Sequence, residues 1–324
     1  MKKIKWGIIG CGDVTEVKSG PAFNKIEKSE LVAVMRRNAE LAEDYAKRHN
    51  VNKWYSDADK LINDPDVNAV YIATPPDSHA FYTLKAAKAG KPVYVEKPMA
   101  RNYEECLTMI ETCRKFNVPL FVAYYRRRLP LFMKVKELIE NNAVGKIQFV
   151  NIRLHVPQKA SDYVNVKPWR VIPDISGGGH FVDLASHQLD YLDYILGPIV
   201  SVKSVVKNID KLYSAEDYVS ALFEFENGVL GSGLWTFTAD DNDRQDIIEI
   251  SGSKGKIIFS TFNQSPIKVF TQHGEEIFNE EFPPNIQMPL IQTVVNELLG
   301  IGICPSDGIS ASRTSRIMDL ILMK

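Results

Sequence analysis

The first 123 residues alternate between short apolar runs and segments of helical periodicity, and that alternation leaves few folds open. Residues 3–9, 31–35, 69–73, 92–95 and 119–123 read as buried strands, with helices over 39–49, 79–89 and 103–116 between them. A strand–helix repeat lays its strands side by side in parallel and covers both faces with helices. The expected fold here is α/β, a doubly wound parallel sheet. Ligands of such sheets bind beyond the carboxyl ends of the strands, so the residues just after each strand are the functional candidates.

Past about residue 125 the texture changes. A helix over 131–141 is followed by long strand-like runs at 147–156, 200–209, 218–225, 229–238, 247–251, 256–262 and 267–271, and a last helix begins near Ser310. Asn227-Gly228 and Gly252-Ser253-Lys254-Gly255 are hairpin signals. The reading is a second, α+β domain with a broad, mainly antiparallel open sheet. This gives residues 1–123 as a nucleotide-binding domain and 124–324 as a substrate and oligomerisation domain. One face of the second sheet needs helices over it; the other suits a second copy, as a homodimer or homotetramer.

Charge excludes several classes of partner. With 39 basic and 40 acidic side chains in 324 residues the net charge is −1, so no overall field recruits nucleic acid or an anionic membrane. The run Arg126-Arg127-Arg128 reads as a solvated surface. Cys11, Cys106, Cys113 and Cys304 are scattered without C-x-x-C spacing, which indicates neither a zinc site nor a disulfide framework. No metal is expected. The opening Met1-Lys2-Lys3 runs straight into a strand without a signal-peptide stretch, and no segment has the ~20 apolar residues of a membrane span. The expected location is the cytoplasm.

The first strand feeds Gly10-Cys11-Gly12-Asp13-Val14-Thr15, a glycine turn opening a helix. Such a turn offers backbone N–H groups to a pyrophosphate. Thr15 stands where Gly or Ala is usual, and Pro21 interrupts the helix soon after. Arg36-Arg37 follow the second strand, where an acid for the adenosine 2′-hydroxyl is usual; arginine there suits a 2′-phosphate, which favours NADP(H) over NAD(H). Thr74, Pro75 and His79 follow the 69–73 strand, the paired prolines stiffening a loop that suits the wall of a cofactor site. Glu96-Lys97-Pro98 follow the next strand and hold a lysine near the ligand crevice. Pro168-Trp169-Arg170 sets an aromatic plane beside a cation.

The segment Gly177-Gly178-Gly179-His180-Phe181-Val182-Asp183-Leu184-Ala185-Ser186-His187 opens a helix running to Leu196. Asp183 and His187, at i and i+4, share a face with His180, Asp190 and Tyr194, opposite an apolar stripe. The plain alternative is a solvated polar face. The glycines keep side chains off the helix start, so a ligand or a neighbouring loop can come close to Asp183.

Taken together, these motifs resemble the Gfo/Idh/MocA family over essentially the whole chain. The resemblance rests on the Gly10–Gly12 turn, Thr74-Pro75 with His79, Glu96-Lys97-Pro98, and glycines followed by D-x-x-x-H at Asp183 and His187. It implies a Rossmann domain, a C-terminal open-sheet domain that often forms dimers or tetramers, and reversible oxidation of sugar or polyol hydroxyls with NAD(P). Lys97, Asp183 and His187 fall on the family's catalytic positions, and Arg126, Trp169 and Arg170 on positions near substrate or cofactor. His180 is a further substrate candidate. Thr15 and Arg36 depart from the commonest pattern. Two other readings stand beside hydride transfer: a glycoside hydrolase using bound NAD in a transient oxidation, and a non-catalytic nucleotide-sensing regulator.

Overall fold

The computed structural model describes residues 2–323, which divide into two compact units. Of these, the first comprises residues 2–129 and Pro283–Ser312, the second Pro130–Phe282 and residues 313–323. A single cut after residue 123 therefore leaves out the return of 283–312 to the first unit.

In the first unit the chain runs β1 (Ile4–Ile9), α1 (Asp13–Val17), α2 (Gly20–Lys25), β2 (Ser29–Met35), α3 (Ala39–Arg48), β3 (Lys53–Tyr55), α4 (Ala58–Ile62), β4 (Ala69–Ile72), α5 (His79–Lys88), β5 (Val93–Val95), α6 (Tyr103–Lys115) and β6 (Leu120–Val122). The six strands form a wholly parallel sheet in the order β3-β2-β1-β4-β5-β6. Strand β4 is buried at every position, as expected where helices cover both faces of a parallel sheet. Asn38, Asp57 and Asn102 cap α3, α4 and α6, each side chain accepting a backbone N–H of the first turn. Register decides where function sits. Ile9 pairs with Met35 and Ile72, Ile72 with Val95, and Val95 with Val122, so four strands end level with β1.

The three-residue edge strand β3 and the five-residue α4 are not evident in the sequence pattern, and Pro21 lies in the first turn of α2 rather than at the end of one continuous helix. Arg126 and Arg127 are not the solvated surface their spacing suggested. They lie in a 3₁₀ turn at 5% and 1% exposure, with the Arg127 guanidinium donating to Pro305 O (2.5 Å) and Ser310 Oγ (2.8 Å) of the returning segment.

The second unit contains α7 (Pro130–Glu140), β7 (Ile147–Pro157), α8 (Pro173–Ser176), α9 (His180–Leu196), β8 (Ile199–Lys207), β9 (Tyr218–Phe225), β10 (Leu230–Ala239), β11 (Gln245–Gly252), β12 (Gly255–Phe259), β13 (Ile267–Thr271) and β14 (Gly274–Phe278). Its eight strands are ordered β14-β13-β12-β11-β7-β10-β9-β8; only β7 with β10 is parallel. The fold is thus α/β, a parallel sheet of Rossmann type with a second, mainly antiparallel sheet. Alternation along β9 and β10 buries Val219, Ala221, Phe223, Trp235 and Phe237 on one face, where Phe181 of α9 meets the Trp235 ring edge-on at 5.2 Å. The opposite face leaves Phe149, Leu222 and Leu230 exposed.

The chain closes with α10 (Met288–Leu298) in the first unit and α11 (Gly308–Leu322). Among the described residues no helix is long and apolar enough to cross a membrane, and no group of acidic, histidine and cysteine side chains could hold a metal ion. All four cysteines are buried, and none forms a disulfide.

Candidate active site

The glycine turn follows from the register of β1. Gly10 and Cys11 both donate to Met35 O, at 2.8 and 3.2 Å, and Gly10 has φ +91°. A Cβ on Gly10 would meet Thr74 Cγ2 at 2.7 Å and Thr74 N at 2.9 Å, so the β4 loop itself demands glycine there. Gly12 is different. The nearest atom to a Cβ built on it is Gly10 O at 3.9 Å, and the space over the turn is clear. Asp13 and Val14 begin α1 directly after it. Thr15 fits where a smaller residue is usual because its hydroxyl turns back onto Gly12 O (2.7 Å), while Tyr45 donates to Thr15 O (2.8 Å). Glycine without protein neighbours, on a strand–turn–helix, fits a dinucleotide's phosphates.

Arg36 is half-buried, with Nη1 3.5 Å from Cys11 O, so its charge lies beside the turn. Burial pushes the Cys11 thiol up to about 11 and Arg36 pulls the other way, which leaves the thiol protonated. Arg37 is exposed and lines a cavity of about 230 Å³ with Ser56, Asp57, Phe81, Tyr82 and Lys85.

Thr74 and Pro75 follow β4 and are half-buried, with Ser78 Oγ donating to Thr74 Oγ1 at 2.8 Å. Glu96, Lys97 and Pro98 follow β5, and the Lys97–Pro98 peptide is cis. Lys97 is half-buried. Glu96 is almost fully enclosed: its carboxylate accepts Tyr71 Oη (2.5 Å), Gln287 Nε2 (2.6 Å) and the Lys97 N–H (3.1 Å). Gln287 in turn accepts from Tyr94 Oη at 3.2 Å and donates its N–H to Lys18 O at 3.1 Å. Tyr71 and Gln287 were missed in the sequence, where Tyr71 is one apolar strand residue among several and Gln287 lies far along the chain. His79 is fully buried, both ring nitrogens facing backbone carbonyls.

In the second unit the glycine run meets protein. A Cβ on Gly179 would meet Ala215 Cβ at 2.7 Å, and Gly179 N donates to Glu216 Oε1 at 2.8 Å, so the neighbour that comes close is the loop before β9. The solvated-face alternative for α9 fails. His180, His187, Asp190 and Asp193 are each 1–3% exposed, and the helix is enclosed on nearly every side. His180 Nε2 lies 3.2 and 3.3 Å from the two Asp162 oxygens, its ring against Tyr213 and Phe237. Burial lowers the His180 pKa, with Lys159 adding to the effect and Asp162 opposing it. Asp162, a third residue the sequence did not disclose, also accepts the Lys159 N–H at 3.0 Å. Asp183 is half-buried, with Arg170 Nε at 3.5 Å, and that guanidinium lies 4.4 Å over the Trp169 ring. His187 meets the Phe262 ring edge-on at 6.0 Å, and Gln188 beside it is fixed by Trp235 Nε1 (2.7 Å).

The first unit thus carries Gly10, Gly12, Arg36, Thr74, Glu96 and Lys97 just beyond the carboxyl ends of its strands, and the second carries His180, Asp183 and His187 on α9 with Arg170 against Asp183. Arg126, in the first unit, is buried with its guanidinium 5.0 Å from the Tyr125 ring centroid.

Comparison with known proteins agrees with this organisation. Residues 4–124 match the oxidoreductase family Gfo/Idh/MocA, described as an NAD-binding Rossmann fold, and residues 132–258 match its C-terminal domain. An oxidoreductase of Formosa agariphila is 41% identical over 321 residues, 98% of either chain. Levoglucosan dehydrogenase of Pseudarthrobacter phenanthrenivorans is 30% identical over 260 residues, 73% of this chain and 66% of that one. A solved levoglucosan dehydrogenase in complex with NADH and levoglucosan shares the fold, with a TM-score of 0.89 at 24% identity over 99% of this chain and 96% of that one. The chain is therefore an oxidoreductase of the Gfo/Idh/MocA family, with that family's NAD-binding Rossmann fold at its N-terminus.

Proposed function

We propose that this protein is a dehydrogenase or reductase that moves a hydride between a nicotinamide cofactor, NADP(H) in preference to NAD(H), and a CH–OH group of a sugar, polyol or related cyclic compound. The observation that carries the reading is the level row of strand ends: Lys97 follows β5 in the same row as the glycine turn after β1 and the Thr74-Pro75 loop after β4. The relatives named as dehydrogenases of levoglucosan and of myo-inositol support the substrate class.

When bound, the nicotinamide accepts or supplies the hydride; the chain's own residues handle charge and proton. Lys97 stabilises the alkoxide that develops on the substrate oxygen. His187 takes the hydroxyl proton during oxidation and returns it during reduction, a task suited to imidazole near neutral pH. Asp183 orients the substrate or the imidazole, and Arg126, Trp169, Arg170 and His180 shape the substrate's surroundings. Gly10, Gly12, Asp13 and Val14 receive the pyrophosphate, Thr74 and Pro75 line the crevice, and Glu96 and His79 act from behind by holding its loops. The preference for NADP(H) rests on Arg36 and Arg37 standing where an acid would otherwise meet the 2′-hydroxyl.

The open face of the second sheet, where Phe149, Leu222 and Leu230 are exposed and Leu222 lines a cavity of about 390 Å³, is proposed to join copies into a homodimer or homotetramer. The unbridged cysteines suit a reducing compartment, and the proposed location is the cytoplasm.

Paired titrations with NADPH and NADH, followed by nicotinamide fluorescence, test the function. NADPH binding about tenfold tighter, a difference of about 1.4 kcal/mol, supports the assignment of Arg36 and Arg37. Tighter NADH binding overturns the cofactor preference, and binding of neither overturns the function.

A further inference from the structure

His79 opens α5 and has no exposed surface. Nε2 lies 2.7 Å from Thr74 O, and Nδ1 lies 3.1 Å from Pro98 O and 3.3 Å from Met99 O. All three oxygens are backbone carbonyls and can only accept. A neutral imidazole has one N–H, so whichever tautomer it adopts, one ring nitrogen directs a lone pair at carbonyl oxygen. That leaves a buried acceptor facing acceptors, the costly arrangement for polar groups out of water. With both nitrogens protonated, every contact becomes a donated, charge-assisted hydrogen bond.

Burial is the largest influence and on balance holds the imidazole below its ordinary value, with the carbonyls of Thr74, Pro98 and Met99 and the Glu96 carboxylate opposing it in part. A proton on each ring nitrogen follows from the geometry, which sets acceptor oxygens at both. Glu96, just after β5, is the charged group whose field reaches the ring; Thr74, Pro98 and Met99 present backbone oxygen to it. Glu96 is itself enclosed, its oxygens held by Tyr71, Gln287 and the Lys97 N–H.

We propose that His79 is held as an imidazolium at neutral pH and serves as a positioning residue, its two N–H groups tying the loop after β4 to the loop after β5. The charge follows from the contacts alone. The positioning role rests on the proposed function, because the two loops it joins carry Thr74-Pro75 and Lys97-Pro98. Their separation is then set by one ring of fixed size rather than by flexible side chains.

Side-chain nitrogen NMR of the histidine-labelled full chain at neutral pH tests the charge, with the His79 signals assigned by their loss in His79→Gln. The sequence has six histidines, so if that variant does not fold, substituting the other five in turn assigns His79 by elimination. Protons on both ring nitrogens support the proposal, and one unprotonated nitrogen overturns it. NADH titration by fluorescence then tests the role: His79→Gln is expected to weaken binding by about tenfold or more, and unchanged affinity overturns the positioning role. Absence of binding of both NADPH and NADH to the unaltered protein counts against the proposed function instead, and leaves the NMR result to decide the charge.

Discussion

Gln287 Nε2 donates to Glu96 Oε1 at 2.6 Å across 191 residues of sequence, and the same amide accepts from Tyr94 Oη. The returning segment of the first unit thus supplies a hydrogen bond to the residue that precedes Lys97. Gln287→Leu keeps the volume but removes a donor from a buried carboxylate and an acceptor from a buried hydroxyl. The expected cost is about 2–3 kcal/mol of stability, read as a lower denaturant midpoint with an unchanged slope. A loss below about 0.5 kcal/mol would show that the network contributes little.

The two glycines of the turn are predicted to fail in different ways. Gly10→Ala strains a backbone at φ +91° and drives a methyl into Thr74, so it lowers Tm by several degrees. A methyl on Gly12 meets no such contact, with 3.9 Å to the nearest atom, so Gly12→Ala should leave Tm within about 2 °C while weakening dinucleotide binding about tenfold or more. Thermal melts and NADH titration of both variants separate the effects. Equal binding losses without a difference in Tm would contradict the assignment.

Lys97→Ala and His187→Ala are each expected to lower turnover by about 10²-fold or more and to leave dinucleotide affinity nearly unchanged. Steady-state kinetics beside fluorescence titration provide the check, and near-normal turnover in either variant would remove that residue from the chemistry.

Glu16 joins α1 to α3 through Arg48, at 2.7 and 2.8 Å, and His49 Nε2 at 2.8 Å. The Arg48 guanidinium, with His49, holds the Glu16 carboxyl at about 2, against an ordinary value of 4.5, and burial only partly opposes them. A depressed folded-state value means the stabilisation is complete above the ordinary carboxylate value and is lost as pH falls toward about 2. Glu16→Gln should therefore reduce stability at neutral pH and flatten the decline in Tm between neutral and acid conditions. An acid decline as steep as in the unaltered protein would exclude Glu16 as a contributor.

Legibility in the sequence followed the range of the forces involved. Strands β9 and β13 coincide with the runs read at 218–225 and 267–271, because alternation and hairpin turns are local signals. Strand β3 was missed because three residues are too few to show a period, and its pairing is set by the neighbouring end of β2. Strand β14 is exposed at four of its five positions, so it carries no apolar pattern to read. Of the candidate site residues, Gly10, Thr74, Lys97 and the Asp183–His187 spacing were visible as motifs. Gln287 and Asp162 were not, since a buried amide or carboxylate acquires its role from partners far along the chain. The same holds for Arg127, whose burial is explained by carbonyl and hydroxyl acceptors contributed after residue 300.

The four enclosed thiols also make a built-in probe. Cys11, Cys106, Cys113 and Cys304 all belong to the first unit, and the second has none. Burial pushes Cys11 and Cys304 up to about 11 and Cys113 up to about 12, which suppresses the reactive thiolate in the closed fold. Alkylation rates would consequently register breathing of the nucleotide-binding half alone, so loosening confined to the sheet-rich half would pass without a chemical trace.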